Sequence, residues 1–298
     1  MSKPMTALLT LVVLLAVLTG CKSVQSSLNS AATMVQQNPN LIKNDKQRQT
    51  VLAGAKAVTA WTSDIGVADE VAMGQSLAAR AFVSFGQPYP DDALQGYVTT
   101  VGRLVALQSE RPTLHFSFVV VQNDTPNSLA LPGGYIFIST GLLKMLKSES
   151  ELACILGHEV CHVAHKDGVA VVARDRRLST LVDFGTALDK QVGQYRQFVD
   201  QTYTMLTTEG YDQRYETIAD GAGTQYAYRA GYNPAGLLPF LNADSAASGG
   251  MAFEVFKTHP DPKARIKNVN SVLATLGDYT TMPKVADRYQ EEVLAKLD

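Results

Sequence analysis

The sequence is poor in the features that would make a fold or a function obvious. Three cysteines in 298 residues are too few for a disulfide scaffold. No apolar run reaches the roughly 20 residues that a membrane-spanning helix needs. Neither sign of charge dominates: 26 Lys+Arg stand against 28 Asp+Glu, a formal net charge of −2. That balance excludes a generally basic, nucleic-acid-binding surface. Only five histidines occur, so their placement carries information. What is present is a 46% apolar, 18% charged composition, which is globular rather than disordered. The length fits one large domain or two small ones.

The N-terminus reads as an address. Lys3 gives a short positive region, and Met5 to Leu18 is almost wholly apolar. The run is too short to span a bilayer and has the length of a signal-peptide core. It ends in Leu18-Thr19-Gly20-Cys21, which looks like a bacterial lipobox with cleavage before a lipidated Cys21. Residues 1–20 are therefore expected to be removed, leaving 25 positive against 28 negative residues. Acyl chains on Cys21 would hold the protein on a membrane surface without a transmembrane helix. Lys22 follows, and the lack of an Asp there resembles lipoproteins sorted to an outer membrane. Residues 21–66 then read as the lipidated cysteine and a polar tether, with a folded domain over 67–298.

Within that domain the apolar spacing predicts helices over 69–85 and 92–107. Leu114 to Gln122 reads as a strand. A turn signal and Gly133-Gly134 follow, then a second strand from Tyr135 to Ser139. Ser148-Glu149-Ser150-Glu151 is a capping-box pattern that opens a helix over roughly 149–166. Residues 171–212 are helical but poorly marked. Further helices are expected over 213–229, 234–242, 262–276 and 285–297. The order gives an α+β class: mostly helices with a small antiparallel-type sheet. Cys154 and Cys161 lie seven apart on one helix, about 10 Å along its axis, too far to bridge each other.

The 149–166 helix is apolar on nearly all sides, which marks a buried, central helix. Yet it carries His158, Glu159 and His162, whose burial is costly unless something pairs them. His158-Glu159-Val160-Cys161-His162 is HExxH. Residues i and i+4 share a helix face, so both imidazoles can reach one ion. Glu159 lies about 100° round from His158, beside such an ion rather than bound to it. From there it can take a proton from water. His165 sits about 10 Å along the axis from His158 and cannot join them on a straight helix. The broken-helix alternative, HExxHxxGxxH, is not present. Glu216 is a better third donor, and Asp220, one turn on, can accept a ring N–H from a ligand histidine. A solvated Glu/Asp pair is the other reading of those two carboxylates. Gly221, Ala222 and Gly223 beside them would let this helix approach another closely.

These motifs resemble metallopeptidase family forty-eight, the gluzincins that include HtpX-like and BepA-like bacterial enzymes and the CAAX prenyl endopeptidases. The resemblance runs from about Asp69 to Leu276. It covers Asn127 to Gly134, Ser139-Thr140-Gly141-Leu142-Leu143, Ser150-Glu151-Leu152-Ala153 leading into HExxH, and the Glu216–Asp220 segment. It continues through Ala230 to Pro234 and Thr258-His259-Pro260 with Arg265-Ile266. It implies a zincin-type domain with one Zn2+ per chain. His158, His162 and Glu216 are then ligands, Glu159 the general base, and Asp220 the partner of a ligand ring. Two departures stand out. The family often has Arg-His a few residues after HExxH, where His165-Lys166-Asp167-Gly168 stands here, and an Arg three residues before the ligand Glu, where Gln213 stands.

The expected activity is membrane-anchored hydrolysis of peptide bonds in envelope proteins, misfolded or unassembled ones in particular. The expected place is the bacterial envelope, at the outer membrane and facing the periplasm. An extended substrate is expected along an edge strand at Gly134, Tyr135 and Ile136. Three roles stand open for His259: oxyanion stabiliser, fourth ligand that closes the site, or turn residue. The competing reading is a zinc-containing periplasmic chaperone or assembly factor with little turnover. Polypeptides are the expected partners, with no nucleic acid.

Overall fold

The computed structural model of the chain describes residues 65–174, 192–211, 213–246 and 262–297. Every element below lies in the unit Gly66–Asp298. The expected signal segment, Cys21, nearly all of the tether, and His259 lie outside the described residues.

Two helices come first, α1 (Val67–Ser84) and α2 (Asp92–Ala106). Asp91 caps α2 by accepting from the Leu94 N–H. Three strands follow: β1 (Ser117–Val121), β2 (Ser128–Leu131) and β3 (Tyr135–Ser139). The rest is helical: α3 (Thr140–Met145), α4 (Glu149–Ala164), α5 (Asp167–Arg174), α6 (Val192–Thr204) and α7 (Gln213–Arg229). Then come α8 (Leu237–Ala246), α9 (Pro262–Leu273) and a C-terminal helical run from Ala286 to Leu297. The α+β class holds.

The sheet order is β1-β3-β2. Tyr135 to Ser139 pair in parallel with β1, and Tyr135 to Ile138 pair antiparallel with β2. The sheet is therefore mixed, with three strands rather than two. Its third strand, Ser-Leu-Ala-Leu, is only four residues long, too short for period-two alternation to show in the sequence. The β2–β3 connection turns on Gly133 and Gly134, whose φ values of 77° and 101° favour glycine. A Cβ on Gly134 would also lie 2.3 Å from the His115 carbonyl oxygen. Glu70 of α1 braces this turn. It accepts the Gly133 N–H at 3.1 Å and a bidentate pair from Arg111 at 2.8 and 2.9 Å.

All sixteen residues of α4 are buried. The helix is packed against α2, α7, α8 and β2, which explains the apolar residues on every side. Leu152, Leu156 and Val160 are fully buried, each worth about 1.5–3 kcal/mol of transfer free energy. Leu156→Ala should cost about 2–5 kcal/mol. Ser148 caps α4, accepting from the Glu151 N–H at 3.3 Å. Glu151 reaches back to the Lys147 N–H at 3.1 Å rather than to that of Ser148, so the box is shifted by one residue. Cys154 and Cys161 are free and buried.

Candidate metal centre

The centre is made where α4 and α7 cross, and two glycines let them meet. A Cβ on Gly223 would lie 2.5 Å from the His158 backbone nitrogen, and one on Gly157 would lie 2.8 Å from the Gly223 carbonyl oxygen. Glycine at both positions brings the Glu216 side chain of α7 to the histidines of α4. His158 Nε2 and His162 Nε2 lie 3.0 Å apart. Glu216 Oε2 is 3.5 Å from the first, and Glu216 Oε1 is 3.4 Å from the second. All three side chains are buried. They form a group able to hold a metal ion. Two imidazole nitrogens and a carboxylate suit a borderline cation.

Each ring is held from behind. His158 Nδ1–H donates to Asp220 Oδ1 at 2.9 Å, and His162 Nδ1–H donates to Asp167 Oδ2 at 2.9 Å. Nδ1 protonation leaves both Nε2 lone pairs facing the common point. Arg265 of α9 donates through Nε and Nη2 to Asp220 at 2.9 and 2.7 Å, and its Nη1 lies 3.7 Å from Glu216 Oε2. Burial pushes the Asp220 carboxyl up, but Arg265 and His158 outweigh it and hold it down at about 2. Burial also lowers His158, against the pull of Glu216 and Asp220. On His162 burial acts the same way, but hydrogen bonds to Asp167 and Glu216 outweigh it and raise the ring to about 10, so a metal ion would have to displace the Nε2 proton to use that lone pair. Glu159, Asp167, Glu216 and Asp220 are all buried at this centre, and the buried Arg265 guanidinium pairs with Asp220 and lies near Glu216. This excess of buried carboxyl groups fits a bound cation.

Glu159 is beside the donors, not among them. Its Oε1 accepts from Ser128 Oγ at 2.7 Å. Its Oε2 is buried with no hydrogen-bond partner among the described residues. An orphaned carboxylate oxygen at a cation-binding cluster is an acceptor awaiting a ligand, a water or a proton.

The sequence profile of peptidase family M48 matches residues 92–273, more than half of the chain. The chain belongs to peptidase family M48. It is 30% identical to the mitochondrial metalloendopeptidase OMA1 of Schizosaccharomyces pombe over 179 residues, 59% of this chain and 52% of that protein. It is 26% identical over 222 residues to the beta-barrel assembly-enhancing protease of Yersinia pestis, covering 72% of this chain and 46% of that one. The Escherichia coli K12 protein of the same name is 24% identical over 222 residues. The chain thus spans about half the length of the curated relatives it matches. Membership of M48 implies a catalytic metal, and the donor set fits one.

Among the described residues of this M48 chain the structure brings together His158, His162, Glu216, Glu159 and Asp220. It does not place Gly134, Tyr135 and Ile136 at an edge. β3 is the middle strand, with ladders on both sides, so it cannot accept a further strand. The edge beside the centre is β2. It pairs only with β3 among the described residues, and a cleft of about 350 Å³ runs along it. Ser128, Leu129 and Ala130 line that cleft together with Tyr203, Leu206 and Tyr211. His165 is the C-cap of α4, and its Nε2 lies 3.8 Å from Glu110.

Four residues of the centre escaped the sequence reading. Ser128, Asp167 and Arg265 contact it as described. Tyr211 stacks on the His162 ring, centroids 4.1 Å apart and planes 21° apart, and its hydroxyl donates to the Ala130 carbonyl at 3.4 Å. Arg265 and Ser128 lay inside stretches already singled out for their resemblance. Asp167 lay at a noted departure. Tyr211 gave no sequence signal.

Proposed function

We propose that this chain is a zinc-dependent endopeptidase of gluzincin type, with one zinc held by His158, His162 and Glu216. The carrying observation is the convergence of these three donors beside the unpartnered Glu159 Oε2. Zinc–ligand bonds of about 2.0–2.1 Å at tetrahedral angles need donor separations of about 3.3–3.4 Å. The two Nε2 atoms lie 3.0 Å apart and each is within 3.5 Å of one Glu216 oxygen, close enough to share one ion, and a His2Glu donor set is one that zinc takes. Three protein ligands with a further open position characterise a catalytic rather than a structural site.

Zinc, when bound, supplies Lewis acidity towards a carbonyl oxygen and makes a nearby water more acidic. The chain's own residues do the rest. Asp220 keeps the His158 ring in the tautomer that presents Nε2. Ser128 fixes one oxygen of Glu159 and leaves the other to take a proton from the attacking water. The same carboxyl then delivers that proton to the leaving amine. An extended peptide adds to the open edge of β2, through its backbone and largely without regard to sequence. Ser128 lines both the β2 cleft and the small cavity that reaches His158 and Glu159, so the edge leads to the chemistry.

Substrates are proposed to be unfolded or unassembled polypeptides of a bacterial envelope. The named barrel-assembly proteases among the relatives support this. A lipid anchor at Cys21 and an outer-membrane location rest on the lipobox-like Leu-Thr-Gly-Cys alone. No helix of the described residues is long and apolar enough to cross a membrane. Casein turnover by the form beginning at Cys21 tests the reading. Cleavage should stop with chelator and return with zinc. Cleavage indifferent to chelator would overturn it.

A further inference from the structure

We propose that Asp167 is the positioning residue for His162, and that the left-handed turn at Lys166 delivers it. The proposal rests on the zinc reading above. α4 ends at Ala164, and α5 opens at Asp167. On a continuous helix Asp167, five residues past His162, would lie about 140° round and 7.5 Å further along, facing away from the ring. The chain instead breaks. Lys166 adopts a φ of 58°, a conformation costing a non-glycine residue about 1 kcal/mol or more. The break swings Asp167 back against the helix it has just left. Its carboxylate is 2% exposed, with Oδ2 2.9 Å from His162 Nδ1.

The bland alternative is an acidic residue in the first turn of α5, favourable to that helix and usually solvated there. The burial of Asp167 and its bond to the ring argue for more. The bond fixes the ring's rotation and its tautomer, so that Nε2 points at His158 Nε2 and Glu216 rather than elsewhere. A carboxylate on the far nitrogen also makes the ring a better metal donor. Tyr211 lies flat on the same ring and covers one face, leaving Asp167 to set its rotation. The two ligand rings are thus held by different parts of the chain. His158 is held by Asp220 and Arg265 from α7 and α9, and His162 by the turn after its own helix.

The test is zinc affinity of the full chain, stripped of metal, by competition with a chromophoric chelator. Thermal unfolding of the stripped protein runs alongside. Asp167→Ala should bind zinc about 10–100-fold more weakly than wild type. Asp167→Asn keeps the shape and one acceptor oxygen, and should recover part of that loss. It also carries the test if the alanine variant does not fold. Folded variants at position 167 that bind zinc within twofold of wild type would overturn this proposal alone. A wild-type chain that binds no zinc would overturn the zinc reading, and this proposal with it.

Discussion

Ser128 Oγ donates to Glu159 Oε1 at 2.7 Å, and the two side chains are 4% and 1% exposed. The residue that holds the base sits on the strand that offers the open edge. On the proposed mechanism one four-residue strand would set both substrate register and the position of the base. Ser128→Ala removes a hydrogen bond to a carboxylate, an interaction worth about 1.5–3 kcal/mol. kcat for a peptide substrate should fall about tenfold, with KM and zinc content within twofold of wild type. Steady-state kinetics with metal analysis checks this.

The close crossing of α4 and α7 gives a matched pair of substitutions. Gly223→Ala drives a methyl to 2.5 Å from the His158 backbone. It should destabilise the metal-free protein by about 1–3 kcal/mol and weaken zinc binding, because the helix carrying Glu216 must retreat. At Gly221 the nearest atom to an added Cβ is Val272 Cγ2, at 3.5 Å. Gly221→Ala should be neutral, or stabilising by up to about 1 kcal/mol. Denaturant unfolding of the two variants, side by side, makes the comparison.

Arg265 neutralises a buried carboxylate pair. Arg265→Ala leaves Asp220 and Glu216 buried without their cation and should cost the metal-free protein about 3–5 kcal/mol. Urea titration measures the loss.

Acid sensitivity should have a component far from the metal. Glu149, at the start of α4, accepts from Arg288, Tyr232 and Tyr97. Burial alone would raise its carboxyl, but those bonds outweigh it, so the folded value lies below the ordinary one. A depressed folded value stabilises above the unfolded pKa of about 4.3 and is lost as pH falls through the folded one. Stability measured below about pH 4.3 should fall less steeply in Glu149→Gln than in wild type.

Much of the centre was legible because its donors follow helix periodicity. His158 and His162 share a face at i and i+4, as do Glu216 and Asp220, and small residues beside the latter pair announced a close helix crossing. The apolar residues around HExxH announced a buried helix in want of a cation. What stayed hidden depends on contacts between distant segments. The middle place of β3 in the order β1-β3-β2 stayed hidden because a strand as short as Ser128–Leu131 leaves no periodic trace. Arg265 reaches Asp220 across 45 positions, and no local pattern encodes that. Asp167 was hidden for the opposite reason. It is close in sequence to His162, but only a positive φ at Lys166 turns it inward, and lysine carries no signal for that conformation.

The most direct measurement sets zinc content beside peptide hydrolysis in three forms: wild type, Glu159→Gln and Glu216→Gln. The account predicts one zinc per chain in wild type and Glu159→Gln, much weakened zinc binding in Glu216→Gln, and hydrolysis by wild type alone, with Glu159→Gln slower by about 10²–10⁴-fold. Full zinc affinity in Glu216→Gln, or undiminished hydrolysis by Glu159→Gln, would contradict it.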